Sequence, residues 1–154
     1  MANRKEMLIL SRLRQDARES LTKMSKITRI PVSTIYDRLQ SCQKDLITKH
    51  TSLLNFGKLG FNARVNIMLK VQREKRDEIK DYLEKHRNVN SIYKINNGYD
   101  YLIEGIFKNI KQVDEFMDIL ESRFVLENTQ IYYIVEDIKR EAFLANENNL
   151  DLVM

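Results

Sequence analysis

From Pro31 to Cys42 the sequence reads PVSTIYDRLQSC, and seven of these residues carry hydrogen-bonding side chains: Ser33, Thr34, Tyr36, Asp37, Arg38, Gln40 and Ser41. Apolar residues recur between them at Ile35, Leu39 and Cys42, a spacing of i, i+4, i+7 that Leu46 continues. That spacing predicts a helix with one buried stripe, so the seven polar residues face away from the core or flank it. Arg38 and Gln40 have the reach to touch phosphate oxygens or base edges, and hydroxyl, amide and carboxylate groups are those that read a DNA groove. The same pattern also fits a packing helix with a solvated face. Pro31, the single proline, suits the first turn of this helix, because its ring presets φ and its missing N–H would be unpaired there anyway.

A second chemical feature is the run NNGYD, Asn96–Asp100. Asp100 lies beside a glycine-containing turn, where a carboxylate either caps the turn or pairs with the ammonium group of a ligand. Other chemistries lack their residues. Cys42 is the only cysteine and falls on a helical stripe, so it reads as core and forms no internal disulfide. His50 and His86 have no metal-ligand spacing, and His86 falls on an apolar helix face where packing is expected. NFGKLG lacks the G-x-x-x-x-G-K-[ST] spacing of a phosphate loop. No pair of carboxylates stands out for acid–base work. The sequence therefore predicts no enzyme, metal or cofactor.

The elements that must position these residues follow from periodicity. Met7, Leu8, Leu10 and Leu13, then Leu21, Met24 and Ile27, and then the Ile35 stripe predict three helices near 4–15, 19–27 and 32–44. Two helices joined by a tight turn after a leading helix make a helix-turn-helix. Residues 51–60 are expected to form a short strand and linker. From Phe61 to Gln72 the apolar period becomes two. A charged helix over 73–87, a strand over 89–96, a strand over 101–108, a helix over 110–123 and a strand over 129–138 complete the pattern. The order strand, helix, strand, strand, helix, strand predicts an antiparallel sheet with both helices on one face. The other face would carry Ile92, Leu102, Ile106, Tyr132 and Ile134, and an uncovered apolar face predicts a second copy of the chain. The last residues, ANENNLDLVM, read as a polar, loose tail.

The 154 residues are 43% hydrophobic and 31% charged, the balance of a soluble globular chain. No apolar run approaches the roughly 18 residues of a membrane helix, and the charged N-terminus lacks signal-peptide features, so a cytoplasmic location without membrane contact is expected. Residues 1–50 hold 11 Lys/Arg against 5 Asp/Glu, leaving 15 and 17 for the remainder. A basic first third on a near-neutral remainder suggests two units, one of which meets a polyanion.

Residues 3–60 resemble the DNA-binding half of the Lrp/AsnC family of feast/famine transcription regulators, through ILSRLRQDARES, IPVSTIYDRL and LITKHTSLLNFGKLG. Residues 61–143 resemble that family's amino-acid-sensing RAM domain, through INNGYDYLIEG and NTQIYYIVEDIK. The DAR at 16–18 and the KLG at 58–60 fall where the family has such motifs. The resemblance implies an α+β protein: a winged helix-turn-helix over 1–50, a strand or linker over 51–60, a ferredoxin-like βαββαβ RAM domain over 61–143, and a tail over 144–154.

The resemblance also implies a transcription factor that binds double-stranded DNA and assembles as a homodimer or higher homo-oligomer. In the family the turn corresponding to Asn96, Asn97, Gly98, Tyr99 and Asp100 lines a pocket for an amino-acid effector where dimers meet, and Thr129 on the closing strand is retained. Four features depart from the family pattern. Arg29 stands where the helix-turn-helix turn usually has glycine, and QSCQKDLI is one residue short and lacks a glycine. Asn97 or Gly98 takes the place of the sensing glycine, and Ile131 replaces a threonine. These last two imply altered effector selectivity, favouring a polar amino acid that Asn96 or Asn97 can hydrogen-bond. The alternatives are an architectural protein that coats DNA with little sequence preference, or an effector-independent oligomeric scaffold.

Overall fold

The structure is a computed structural model that describes residues 3–152. Contacts divide the chain into two compact units, one formed by residues up to Leu53 together with those from Ile138 on, the other by Leu54–Asp137.

In the first unit three helices form, α1 (Arg4–Gln15), α2 (Leu21–Thr28) and α3 (Val32–Asp45). Each begins where the sequence offers a start. Asn3 caps α1 in a reciprocal box: its Oδ1 accepts from Glu6 N–H at 3.0 Å, and Glu6 Oε2 accepts from Asn3 N–H at 2.9 Å. Ser20 Oγ caps α2 by accepting from Lys23 N–H, and Pro31, with φ −57°, precedes the first turn of α3. Arg29 ends α2 in the left-handed region at φ 58°, the conformation that glycine adopts without strain. Ile9, Met24, Ile30 and Ile35 make the core of this unit, each burial contributing about 1.5–3 kcal/mol. Ile9 and Ile30 hold these places where the periodicity suggested Leu10 and Ile27; Ile27 is exposed.

Behind this core Glu19, with no exposed side-chain surface, is held by Arg12 through a fork of 2.9 and 2.5 Å. The C-terminal residues, expected to be loose, instead pack on α1. Arg14 donates to the carbonyl oxygens of Phe143 and Glu141 at 3.0 Å, and Leu150, in a 3-10 turn over Glu147–Leu152, is buried.

The short strand expected within 51–60 is not formed. Residues 47–55 are irregular, and Gly57–Leu59 make one 3-10 turn closed by Gly60 at φ 86°. Leu53 and Leu54 are adjacent and both exposed, so this stretch lacks the alternation that would give a strand one buried face.

The second unit contains β1 (Ala63–Val71), α4 (Arg76–Lys85), β2 (Val89–Lys94), β3 (Tyr101–Phe107), α5 (Ile110–Arg123) and β4 (Leu126–Tyr133). The sheet is antiparallel in the order β2-β3-β1-β4, the ferredoxin-like arrangement. Ala63, Val65, Ile67, Leu69 and Val71 point at the helices and pack with Ile79 and Leu83 of α4 and Val113, Phe116, Met117 and Leu120 of α5. His86 is packed as expected, its ring 4.8 Å from that of Phe116, and desolvation holds its pKa below the usual histidine value.

Register explains two differences from the sequence reading. β2 shifts between Val89 and Ser91, which places Ile92 opposite Ile103 and turns it to the helix side. β4 begins at Leu126 and ends at Tyr133, three residues earlier than expected at its start, because β1 pairs out to Val71↔Leu126 across a bulge. The helix-free face thus carries Met68, Tyr93, Leu102, Ile106 and Tyr132, with Ile134 just beyond the strand.

Candidate DNA interface and ligand hollow

The first site is the outer side of α3. Ile35 and Cys42 are buried, and Leu39 is half-buried beside them. Burial pushes the Cys42 thiol pKa up, the behaviour of a core residue rather than a reactive one. Ser33, Tyr36, Asp37, Arg38, Gln40 and Ser41 are exposed and Thr34 is half-buried, so the structure brings the seven predicted residues onto one element with their polar groups outside the core.

They are not equivalent. Arg38 Nη1 lies 2.9 Å from Glu6 Oε1, while the other oxygen of the same carboxylate closes the α1 cap. Arg38 therefore ties α3 to α1, and its guanidinium is already engaged. The cap and Arg38 together hold the Glu6 pKa below the usual carboxylate value. Lys44 is also exposed, in the last turn of α3. It continues the line Ser33, Asp37, Gln40 at helical spacing, a signal present in the sequence.

The second site is where the β2–β3 hairpin meets β4. Ile95 N–H donates to Asp100 C=O at 3.0 Å, and Asn97 and Gly98 follow one another at φ 63° and 88°. Two successive left-handed residues make a tight hairpin turn in which asparagine and glycine are the favoured pair. Asn96, Asn97 and Gly98 are exposed; Tyr99 and Asp100 are half-buried. The hairpin and Thr129 are brought together through Leu69, which accepts from Asp100 N–H at 2.8 Å and lies opposite Thr129 in the β1–β4 ladder. Asn128 Nδ2 donates to Tyr99 Oη at 3.2 Å. Beside this junction is an open hollow of about 530 Å³ lined by Glu121, Phe124, Leu126, Glu127, Asn128 and Thr129.

The Asp100 carboxylate has partners on both oxygens. Oδ2 accepts from Val71 N–H at 2.9 Å, and Oδ1 is 2.9 Å from Arg76. This geometry gives Asp100 the role of fastening the turn, and an incoming ammonium group would have to compete with Arg76. The carboxylates on the hollow itself, Glu121 and Glu127, were not singled out in the sequence; Glu127 makes only a 3.6 Å pair with the exposed Lys70. Among the described residues no cluster of three or more His, Cys, Asp or Glu is arranged to hold a metal ion, and no helix is long and apolar enough to cross a membrane.

Comparison with known proteins supplies the context for this geometry. The family model described as the Lrp/AsnC ligand binding domain matches residues 63–143. The HTH-type transcriptional regulator FL11 of Pyrococcus abyssi is 27% identical over 132 residues, covering 85% of this chain and 87% of the relative. An uncharacterized HTH-type transcriptional regulator of Pyrococcus furiosus is 28% identical over 134 residues, covering 86% and 90%. Among solved structures, a Neisseria meningitidis transcriptional regulator in complex with L-Met superimposes with a TM-score of 0.84 at 18% identity, covering 91% of this chain and 94% of that one. E. coli AsnC gives 0.79 at 16% identity, covering 91% and 96%.

Proposed function

The chain belongs to the Lrp/AsnC family, and we propose that it regulates transcription by laying α3 in the major groove of double-stranded DNA, under the control of an amino acid bound to the sheet unit. Its relatives are transcriptional regulators, not enzymes. The observation that carries the DNA reading is the exposed polar line of α3 behind a tri-helical pack whose turn places it directly after α2. The basic balance of the first 50 residues supplies attraction to phosphate. Such a protein works in the compartment that holds the DNA, here the cytoplasm.

The effector reading rests on the junction of hairpin, Thr129 and hollow. One related fold was solved with L-Met, and an amino acid needs a partner for each charge. Backbone N–H groups around Asn97 and Gly98 suit the carboxylate; Glu121 and Glu127 suit the ammonium; Asn96, Asn97 and Thr129 suit a polar side chain. Asp100 acts by holding the turn rather than by touching the effector. The helix-free sheet face is the surface on which two copies meet, which makes the DNA site a pseudo-palindrome with half-sites one or more helical turns apart.

Binding of genomic, selected and scrambled duplexes across a salt titration tests the DNA reading. A regulator retains a sequence-dependent difference as salt rises, whereas an architectural coat loses affinity alike on all duplexes. Absence of binding at low salt would leave only an oligomeric scaffold. Calorimetry with the twenty amino acids, on the parent and on Thr129→Val, tests the hollow: binding by the parent that the variant weakens supports it, and no binding by the parent removes it.

A further inference from the structure

At 3.6 residues per turn, the side of α3 opposite Ile35, Leu39 and Cys42 carries Ser33, Asp37, Gln40 and Lys44, all exposed. Arg38 is off this line and is held by Glu6 at 2.9 Å. The centre of the outer line is therefore an acid, Asp37, whose carboxylate makes no hydrogen bond or ion pair among the described residues. A carboxylate at the middle of a surface that meets a polyanion is repelled by phosphate and gains only from a hydrogen-bond donor.

In the major groove the bases offer two amino donors, cytosine N4 and adenine N6. Adenine sets its N7 lone pair beside that amino group, which a carboxylate opposes. Cytosine does not. Gln40 stands one turn further along the same line, about 4.5 Å of helix rise away. It carries a donor and an acceptor together, the complement of adenine N6 and N7. We propose that Asp37 selects a C·G pair and Gln40 an A·T pair at the neighbouring step of the same half-site. This rests on α3 being the groove-binding helix, and it deepens that reading by naming the base pairs recognised.

The test is selection of bound duplexes from a random pool by the full chain, in parallel with Asp37→Asn and Gln40→Ala, each checked for parental helix content by circular dichroism. The parent is expected to enrich a half-site with adjacent cytosine and adenine. Asp37→Asn is expected to move the cytosine position to adenine, since asparagine offers the bidentate match. The preference between the two cognate duplexes should reverse by roughly tenfold or more at that position. Gln40→Ala should relax the neighbouring position alone. A parental site that Asp37→Asn recovers unchanged overturns the inference while leaving DNA binding intact. Binding without enrichment does the same. Failure of the parent to retain any duplex at low salt defeats the groove reading, and this inference falls with it.

Discussion

Asp100 and Arg76 stand 2.9 Å apart, joining the β2–β3 hairpin to the start of α4, while the second Asp100 oxygen receives the N–H of Val71 at the end of β1. One carboxylate thus fixes three elements. The two contacts differ in weight. Arg76 is 43% exposed and its ion pair is screened by water, so it contributes under about 1 kcal/mol. The Val71 amide belongs to a residue 1% exposed, and a hydrogen bond from it to a charged acceptor is worth about 1.5–3 kcal/mol. Asp100→Ala should therefore lower stability by about 2 kcal/mol in urea denaturation. Asp100→Asn keeps an acceptor and should cost under about 1 kcal/mol. Equal losses in the two variants would mean that the ion pair dominates.

What the sequence revealed and what it hid divide along physical lines. The three helices were legible because Pro31 and an apolar period of about 3.6 act locally, within a few residues of the element they start or bury. The helix face of β1 was legible because Ala63, Val65, Ile67, Leu69 and Val71 recur at every second residue, with Met68 the one apolar residue between them. Ile92 was misplaced because the β2 shift between Val89 and Ser91 reverses the face, and a bulge is set by pairing with β3 rather than by β2 itself. The engagement of Arg38 by Glu6 and of Asp100 by Arg76 spans 32 and 24 residues of chain, distances at which periodicity carries no information. Lys44 and the Glu121–Glu127 hollow were missed for a different reason: an exposed charge looks alike in sequence whether it meets bulk water or a site.

Arg29 supplies a prediction of the opposite sign. It sits at φ 58°, ψ 25° as the last cap of α2, its N–H donating to Ser25 C=O at 2.9 Å. A side chain in this left-handed region costs about 1–2 kcal/mol. Arg29→Gly keeps the backbone hydrogen bond and removes the strain, against a loss of about 0.5–1 kcal/mol from the freer unfolded chain. The variant should be more stable by about 0.5–1 kcal/mol, read as a rise of a few degrees in melting temperature. A lower melting temperature would show that the Arg29 side chain contributes more than its strain removes.

Acidification should weaken the two units in different ranges. In the sheet unit the desolvated ring of His86 has a lowered pKa, and its Nδ1 accepts from Asn88 N–H at 3.2 Å, which requires the neutral ring. A depressed histidine contributes stability above its unfolded value near 6.5 that is lost as the pH falls below it. In the helical unit the Arg12 fork holds the Glu19 carboxyl below its ordinary value. That contribution is complete above the unfolded carboxylate value near 4.3 and is lost only below it. Chemical shifts followed from about pH 8 to about pH 3 should report loosening around His86 first and around Glu19 last. Glu19→Gln should flatten the acid limb of the helical unit. It should also cost roughly 1.5–3 kcal/mol at neutral pH, because Arg12 loses its charged acceptor and keeps Gln15 Oε1 at 2.8 Å.

The helix-free sheet face should join two copies of the chain. Both helices of this unit pack on the side of Val65, Ile67 and Leu69, so neither of them covers Met68, Leu102, Tyr93 and Tyr132. Leu102 is central, paired with Met68 on one side and Tyr93 on the other. Nearby, Arg64 is fixed between Glu104 at 2.8 Å and Asp137 at 2.7 Å, which satisfies the charges of this face within one chain and leaves its apolar centre as the adhesive part. The parent should sediment as a dimer or larger assembly of the 18.3 kDa chain at micromolar concentration. Leu102→Asp places a charge where two such faces would meet and should shift the chain to monomer. Tyr93→Asp serves the same purpose at an exposed position, where the monomer fold is less at risk. On the proposed reading, in which two α3 helices hold a palindromic site, both variants should also lose affinity for full sites far more than for half-sites. A parent that sediments as a monomer would rule out this face as the contact, and so would Leu102→Asp and Tyr93→Asp variants that both remain dimeric with normal circular dichroism.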